Sequence, residues 1–236
     1  MLYMIGLGLN VDGISKYGLY VAKKCKRIYL ESYTVDLPYS EGELKEVLGK
    51  KFILANREFV ESLKIVDEAR KLDIVLLVYG SPLTATTHIS LIEEAKRCGV
   101  KYKIIYNASI LDAVAETGLQ LYKFGKVTSM PKWEKSFSPD SFIKIVQENQ
   151  SISAHSLILM DIGLEFQDAL NQLKISFEKY KMNLKKIILC QRLGTKGQKI
   201  SYKTIKELEE YNNVKTPYCI ILPSKLHFVE QEILEQ

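Results

Sequence analysis

Apolar residues fall along this chain in two rhythms. The run Asp73-Ile74-Val75-Leu76-Leu77-Val78 is unbroken, aliphatic and rich in β-branched residues. That is the pattern of a central parallel strand buried on both faces. Shorter runs of the same character lie at 2–8, 27–33, 52–54 and 102–106. Between them apolar residues recur at helical spacing over 14–26, 41–48, 58–71 and from Ile89 to Cys98, where Gly99 is a natural stop. Ser15 or Asp12 can start the first of these helices. Five strands alternating with helices predict a parallel sheet with right-handed crossovers.

A further helix opens near Ser109, a reasonable N-cap, and runs to about residue 117. Beyond it the pattern stays α/β but is more mixed. Residues 118–125 form a transition, and 129–140 read as a loop whose lone Trp133 is either a lid or a packing anchor. Strands are predicted at 155–162, 185–192 and 218–222, with a short antiparallel strand at 199–202. Helices are predicted at 140–149, 165–180, 204–211 and 226–234. The boundary falls near 107–116. The fold class is α/β, in two α/β domains, 1–112 with a mostly parallel sheet and 113–236 of mixed type, with a ligand cleft expected between them.

The turn after the central strand reads Val78-Tyr79-Gly80-Ser81-Pro82-Leu83-Thr84-Ala85-Thr86-Thr87-His88. Gly80 and Pro82 break the strand, and Thr86 or Thr87 can cap the next helix. Ligands of open α/β sheets sit outside the carboxyl ends of the strands. Small hydroxyl side chains there suit a polar small molecule, although a plain strand-to-helix turn would look similar. The first strand ends in Gly6-Leu7-Gly8-Leu9. Val11 stands where the dinucleotide fingerprint needs its third glycine, so that fingerprint fails, while a tight turn with close backbone approach survives. Glu31 lies about twenty residues beyond, the distance of a ribose-binding acid, a coincidence once the fingerprint is broken.

Composition narrows the classes. The charged fraction of 26% and hydrophobic fraction of 47% are those of a soluble globular protein. No apolar run approaches the roughly 20 residues that cross a bilayer, and the start reads as a strand and not as a signal peptide. The four cysteines, Cys25, Cys98, Cys190 and Cys219, form no paired motif, which favours core thiols in a reducing cytoplasm. His88, His155 and His227 have no metal-ligand spacing, so no metal is expected. The net charge of +5 is uneven: residues 171–215 hold eleven Lys and Arg against four Asp and Glu. A solvated face explains this, and a surface for an acidic or ribosome-associated partner is the sharper reading. Nucleic acid is an unlikely partner, because no basic-aromatic sheet pattern is present.

Six strings then occur in a meaningful order. Gly80-Ser81-Pro82-Leu83-Thr84-Ala85-Thr86-Thr87-His88 resembles the Gly-Asp-Pro-Leu-Val-Ala-Thr-Thr-His signature of diphthine synthases. Glu31-Ser32-Tyr33-Thr34, Tyr122-Lys123-Phe124-Gly125-Lys126, Met160-Asp161-Ile162, Arg192-Leu193-Gly194 and Pro223-Ser224-Lys225-Leu226-His227-Phe228-Val229-Glu230 are similar to further strings of that family. The likeness covers essentially the whole chain. It implies a two-domain fold of the tetrapyrrole-methylase-like type, usually a homodimer, binding S-adenosylmethionine in the interdomain cleft. The implied reaction is repeated methylation of the amino group of the amino-carboxypropyl histidine of translation elongation factor 2, giving diphthine in diphthamide biosynthesis.

Carried over by position, cofactor contacts would fall on Leu9, Ser81, Thr84, Ser109, Ile110, Met160, Leu193 and Tyr218. In any α/β protein Leu9, Ile110, Met160, Leu193 and Tyr218 would also serve as core, turn or strand residues. No catalytic group is assigned; His88 and Tyr122 are candidate bases. No paired carboxylates or Ser-His-Asp order supports a hydrolase. Methyl transfer from a sulfonium leaves a neutral thioether, so positioning and exclusion of water suffice. Ser81 replaces the family's Asp, Ser224 a turn glycine, and 163–173 keep little of the family pattern. Two alternatives stay open: a ribosomal-RNA or tetrapyrrole methylase of the same fold, and a non-catalytic relative that binds elongation factor 2. Asn10-Val11-Asp12 does not fit the Pro-Gly-Asp of the tetrapyrrole branch.

Overall fold

The computed structural model describes residues 1–236, which divide into one unit of Met1–Ala113 and another of Val114–Gln236. The first contains β1 (Leu2–Gly6), α1 (Lys16–Lys24), β2 (Arg27–Glu31), α2 (Glu41–Leu48), β3 (Ile53–Ala55), α3 (Arg57–Glu61), α4 (Lys64–Ala69), β4 (Ile74–Val78), α5 (Ile89–Arg97), β5 (Tyr102–Ile105) and α6 (Ile110–Ala113). Its sheet has the order β3-β2-β4-β1-β5, and every pairing is parallel. All five carboxyl ends therefore lie along one edge.

Alternation along the central strands sends side chains to two cores. Leu2, Met4, Ile74, Leu76 and Val78 pack with Val60, Ile65, Val66, Leu91 and Ile92 of α3, α4 and α5. Ile5, Leu7, Val75 and Leu77 pack with Val21, Ala22, Leu44 and Leu48 of α1 and α2. All five residues of β4 are buried, as a two-faced strand requires, and burying one such Leu or Val side chain contributes about 1.5–3 kcal/mol. The helix after β1 thus covers one face and the helix after β4 the other, although the two strands are neighbours. The connections thus leave to opposite faces, which makes the β1/β4 boundary the topological switch point where open sheets bind ligands.

Local chemistry explains most element ends. Ser15 accepts the Gly18 N–H at the start of α1, and Ser40 with Glu43 forms a reciprocal capping box for α2. The periodic stretch at 58–71 is two helices. Leu63 takes a left-handed φ of 61° between them, which interrupts the helical ladder. Neither Thr86 nor Thr87 caps α5: the helix follows His88 with no side-chain cap, and Thr86 Oγ1 instead donates to the Pro82 carbonyl at 3.0 Å.

The second unit contains β6 (Thr128–Met130), α7 (Ser141–Ser151), β7 (Ser156–Met160), α8 (Phe166–Lys179), β8 (Lys186–Gln191), β9 (Lys199–Thr204), α9 (Ile205–Glu209), β10 (Tyr218–Leu222) and α10 (Phe228–Leu234), with single 3₁₀ turns at Val114–Thr117 and Leu121–Lys123. Its sheet order is β6-β7-β10-β8-β9. β10 runs antiparallel to both neighbours, β9 antiparallel to β8, and β6 parallel to β7. Phe142, Ile143 and Val146 of α7 and Leu170, Leu173 and Phe177 of α8 form its core with Ile158, Ile187, Leu189 and Ile220. β6 lies at the start of the stretch read as a loop; three residues are too few to show a period. Trp133 is an anchor, with its indole N–H donating to the Pro139 carbonyl at 2.9 Å and its backbone N–H to Gln172 Oε1 at 3.0 Å. Cys190 and Cys219 are register partners across β8 and β10, and all four thiols are free.

Glu230, at no exposure, is the polar centre of this unit. Its carboxylate accepts the backbone N–H groups of Gln120 at 3.0 Å and His227 at 2.7 Å, and pairs with the Lys123 ammonium. His155 completes the set: Nδ1 accepts the Ser224 N–H at 2.9 Å, so Nε2 carries the proton given to Glu230 at 3.2 Å. Burial alone would raise the Glu230 pKa, but these donors outweigh it and hold it at about 2. Burial also holds His155 below its ordinary 6.5 despite the carboxylate, in agreement with a neutral ring that accepts at Nδ1. Its contribution to stability is present above pH 6.5 and declines as pH falls below that value.

Gly125, two residues beyond Lys123, abuts Asn149. A Cβ there would lie 2.1 Å from Asn149 Oδ1. That buried amide accepts the Lys126 N–H and donates to the Lys126 carbonyl and to Ser156 Oγ. Gly125→Ala must displace it, and is expected to lower stability by about 2–4 kcal/mol, read by denaturant melts.

Candidate functional site

At the carboxyl edge of the first sheet, three loops are drawn together by backbone that tolerates no side chain. Beyond β1 and β4, Gly8 and Gly80 exchange hydrogen bonds, N–H of Gly8 to O of Gly80 at 3.1 Å and the reverse at 2.9 Å. Both glycines have left-handed φ, 73° and 71°. A Cβ on Gly6 would lie 2.5 Å from the Gly80 carbonyl oxygen and 2.8 Å from Asn107 Cβ. A Cβ on Gly13 would lie 2.5 Å from the Leu7 carbonyl oxygen. These contacts explain a glycine pattern that fails the dinucleotide fingerprint and still makes a close turn.

Five of the predicted contact residues gather on these loops. Leu9 is buried just past the Gly8 turn, and its carbonyl accepts the Tyr79 hydroxyl at 3.0 Å. Ser81 is 7% exposed, and its carbonyl closes the turn that follows. Thr84 is half-buried, its N–H bonded to the Ser81 carbonyl at 3.1 Å. Ser109 caps α6: its hydroxyl accepts the Leu111 N–H and donates to Asp112, which also accepts the Ser109 N–H at 2.7 Å. Ile110 opens that helix half-buried. A Cβ on Gly80 would sit 3.7 Å from Ser109 Cα, so the second and third loops touch.

The 80–88 loop is fastened to itself. His88, fully buried, directs Nδ1 at the Pro82 carbonyl at 3.0 Å, which assigns the proton to Nδ1. Nε2 is then left to accept from the Tyr33 hydroxyl at 3.4 Å. With both ring nitrogens engaged, His88 shapes the loop and has no free lone pair for a base. Tyr33 is itself pushed up to about 12, first by burial and then by nearby Glu31 and Glu61. Glu31 accepts from the Tyr33 N–H at 2.8 Å and Thr34 Oγ1 at 2.6 Å; it folds its own turn. Tyr122, 81% exposed, belongs to the second unit.

The other three predicted contacts share one end of the second sheet. Met160 ends β7, Leu193 follows β8 and Tyr218 begins the antiparallel β10 that lies between those strands. Leu193 is flanked by Arg192 and Gly194 at φ of 48° and 76°. The Tyr218 ring is committed to the core, edge-on to Phe166 with its hydroxyl donating to the Leu164 carbonyl at 2.8 Å; burial raises its pKa well above the usual phenol value.

Chemically the first-unit edge is a cradle of tight main chain and hydroxyls, with no acid–base pair. Nowhere in the chain do three His, Cys, Asp or Glu residues gather to hold a metal ion. Such a cradle fits a small polar ligand whose chemistry asks mainly for orientation.

The tetrapyrrole (corrin/porphyrin) methylase family matches residues 1–209. Diphthine synthase of Methanocaldococcus jannaschii is 38% identical over 100% of this chain and 98% of its own length. The chain belongs to the diphthine synthase family of tetrapyrrole methylases. Diphthine methyl ester synthase of Saccharomyces cerevisiae is 36% identical over 99% of the chain and 88% of its own. A solved diphthine synthase superposes with a TM-score of 0.89 at 31% identity, covering 99% of this chain and 94% of that one. Family membership makes the chain a methyltransferase of diphthamide biosynthesis that takes its methyl group from S-adenosylmethionine. The match to diphthine synthases over the full length decides against the ribosomal-RNA and tetrapyrrole readings.

Two of the family-like strings, Tyr122 to Lys126 and Pro223 to Glu230, meet at Glu230. Asn107 was missed as a site-forming residue.

Proposed function

We propose that this chain methylates the amino group of the amino-carboxypropyl histidine of translation elongation factor 2, repeatedly, to give diphthine. The observation that carries the reading is the glycine-closed cradle at the β1/β4 switch point within a chain that matches diphthine synthases end to end. In this reading Leu9, Ser81, Thr84, Ser109 and Ile110 of the first unit contact S-adenosylmethionine, as do Met160, Leu193 and the Tyr218 backbone of the second. The bound donor supplies a methyl carbon on a sulfonium whose departing thioether is neutral. The chain's own task is to orient that carbon and exclude water. Consistent with this, His88 and Glu31 spend their hydrogen bonds on shaping their own loops.

The protein works as a homodimer in the cytoplasm in this proposal. No helix is long and apolar enough to cross a membrane, and the neighbouring reduced thiols Cys190 and Cys219 suit a reducing compartment. Labelled methyl from S-adenosylmethionine is expected to enter elongation factor 2 that carries the modified histidine, and not the unmodified factor. Label in neither, with donor binding intact, would support the non-catalytic binder instead.

Ser81 gives a sharper prediction. A carboxylate at this position could meet the donor's ammonium, and a hydrogen bond to a charged group adds about 1.5–3 kcal/mol, tenfold or more in affinity. Ser81→Asp is expected to tighten donor binding by that order in calorimetry. It should also lower the melting temperature of the free protein, since the new charge is buried without a partner.

A further inference from the structure

We infer that Asn107 is the positioning residue of the donor site, the one side chain that sets the β1 loop against the β5 loop. The inference rests on the reading that these loops hold S-adenosylmethionine. Asn107 follows β5, the neighbour of β1 on the side away from β4. Its Nδ2 donates both hydrogens, to the Gly6 carbonyl at 3.0 Å and to the Gly13 carbonyl at 2.8 Å. Its Oδ1 accepts the Ala108 N–H at 2.8 Å. Two carbonyls on one side and an N–H on the other leave the amide only one orientation.

Gly6 and Gly13 are the two ends of the loop that carries Leu9, and Ala108 precedes Ser109 and Ile110. One planar amide thus fixes two of the three cradle loops. Gly8, whose Cβ would lie 3.1 Å from Asn107 Oδ1, packs flat on it and carries the exchange with Gly80 to the third. The Gly6 and Gly13 carbonyls have no other side-chain donor. Asn107 itself is half-buried and belongs to neither hydrophobic core of this unit, so its contacts shape the loop edge, not the packing beneath.

Asn107→Asp keeps the shape and the acceptor but turns both donors into a carboxylate oxygen facing two carbonyls. That arrangement favours the protonated acid, and a protonated acid restores one donor. For this variant, donor affinity is expected to be about tenfold weaker or more at about pH 8 and to recover in large part by about pH 5.5. The wild type should show a flat profile over the same range. At about pH 8 the variant's KM for the donor should rise while kcat at saturating donor stays within about twofold. Asn107→Ser, too short to bridge both carbonyls, should lose affinity without recovering at low pH. Calorimetric titration of wild type and both variants with S-adenosylmethionine, beside thermal melts, reads all of this. A pH-dependent loss confined to Asn107→Asp supports the inference. Wild-type affinity in Asn107→Asp at pH 8, or the same loss at every pH, overturns it with the donor reading intact. A wild type that does not bind the donor overturns the donor reading, and the inference with it.

Discussion

Replacing Glu230 by alanine is expected to destabilise the second unit by about 3–5 kcal/mol, the cost of breaking a buried ion pair and stranding its partners. The carboxylate has no exposure and receives four donors. Without it the Gln120 and His227 N–H groups and the His155 Nε2–H lose their acceptor. The Lys123 ammonium, whose side chain is 21% exposed, loses its counter-charge. The pH dependence follows from the carboxylate. Its pKa falls from 4.5 in the unfolded chain to about 2 in the folded one. The stabilisation is therefore complete above pH 4.5 and is lost as pH falls toward 2. Denaturant melts of wild type and Glu230→Ala should differ most near neutrality and converge as pH falls through that window. A constant difference would show that packing, not charge, is what Glu230 provides.

Gly6→Ala is expected to weaken donor binding by about a hundredfold or more, the second large effect, because the obstacle is backbone. The added Cβ meets the Gly80 carbonyl oxygen at 2.5 Å and Asn107 Cβ at 2.8 Å. Neither can move without separating Gly8 from Gly80 or releasing Asn107 from Gly6 and Gly13, so one methyl disturbs all three cradle loops. Calorimetry with S-adenosylmethionine measures the loss. Gly42→Ala is the control: its added Cβ has only Ser40 Oγ near it, at 3.6 Å, and donor binding should be unchanged. Equal affinity of Gly6→Ala and wild type would remove the cradle from the donor site.

The sequence carried the alternation of strands and helices because burial imposes period: β4 is apolar at every position since both faces are covered. It did not carry the break at Leu63, where a left-handed residue sits inside a stretch whose apolar spacing remains helical. Nor did it carry the three-residue β6. At the proposed site, Gly6 and Gly8 were legible as a tight turn, whereas Ser81 and Ser109 were singled out only by the family resemblance, because a hydroxyl at a strand end is as readily a turn or cap residue. Asn107 was not, since an asparagine after a strand looks like any turn residue until its partners, Gly6 and Gly13, about a hundred positions earlier, are seen. The family-like strings around Lys123 and Glu230 gave no sign in the sequence that they meet, because a buried ion pair demands particular residues without any local pattern.

The most direct test of the account is peptide mass spectrometry of elongation factor 2 carrying the amino-carboxypropyl histidine after incubation with this protein and S-adenosylmethionine. The predicted result is methyl groups added to the amine of that residue until it is quaternary. One further methyl, on the carboxylate, would match the methyl ester synthases among its relatives. No added methyl on that residue, with a diphthine synthase active on the same factor alongside, would contradict the account.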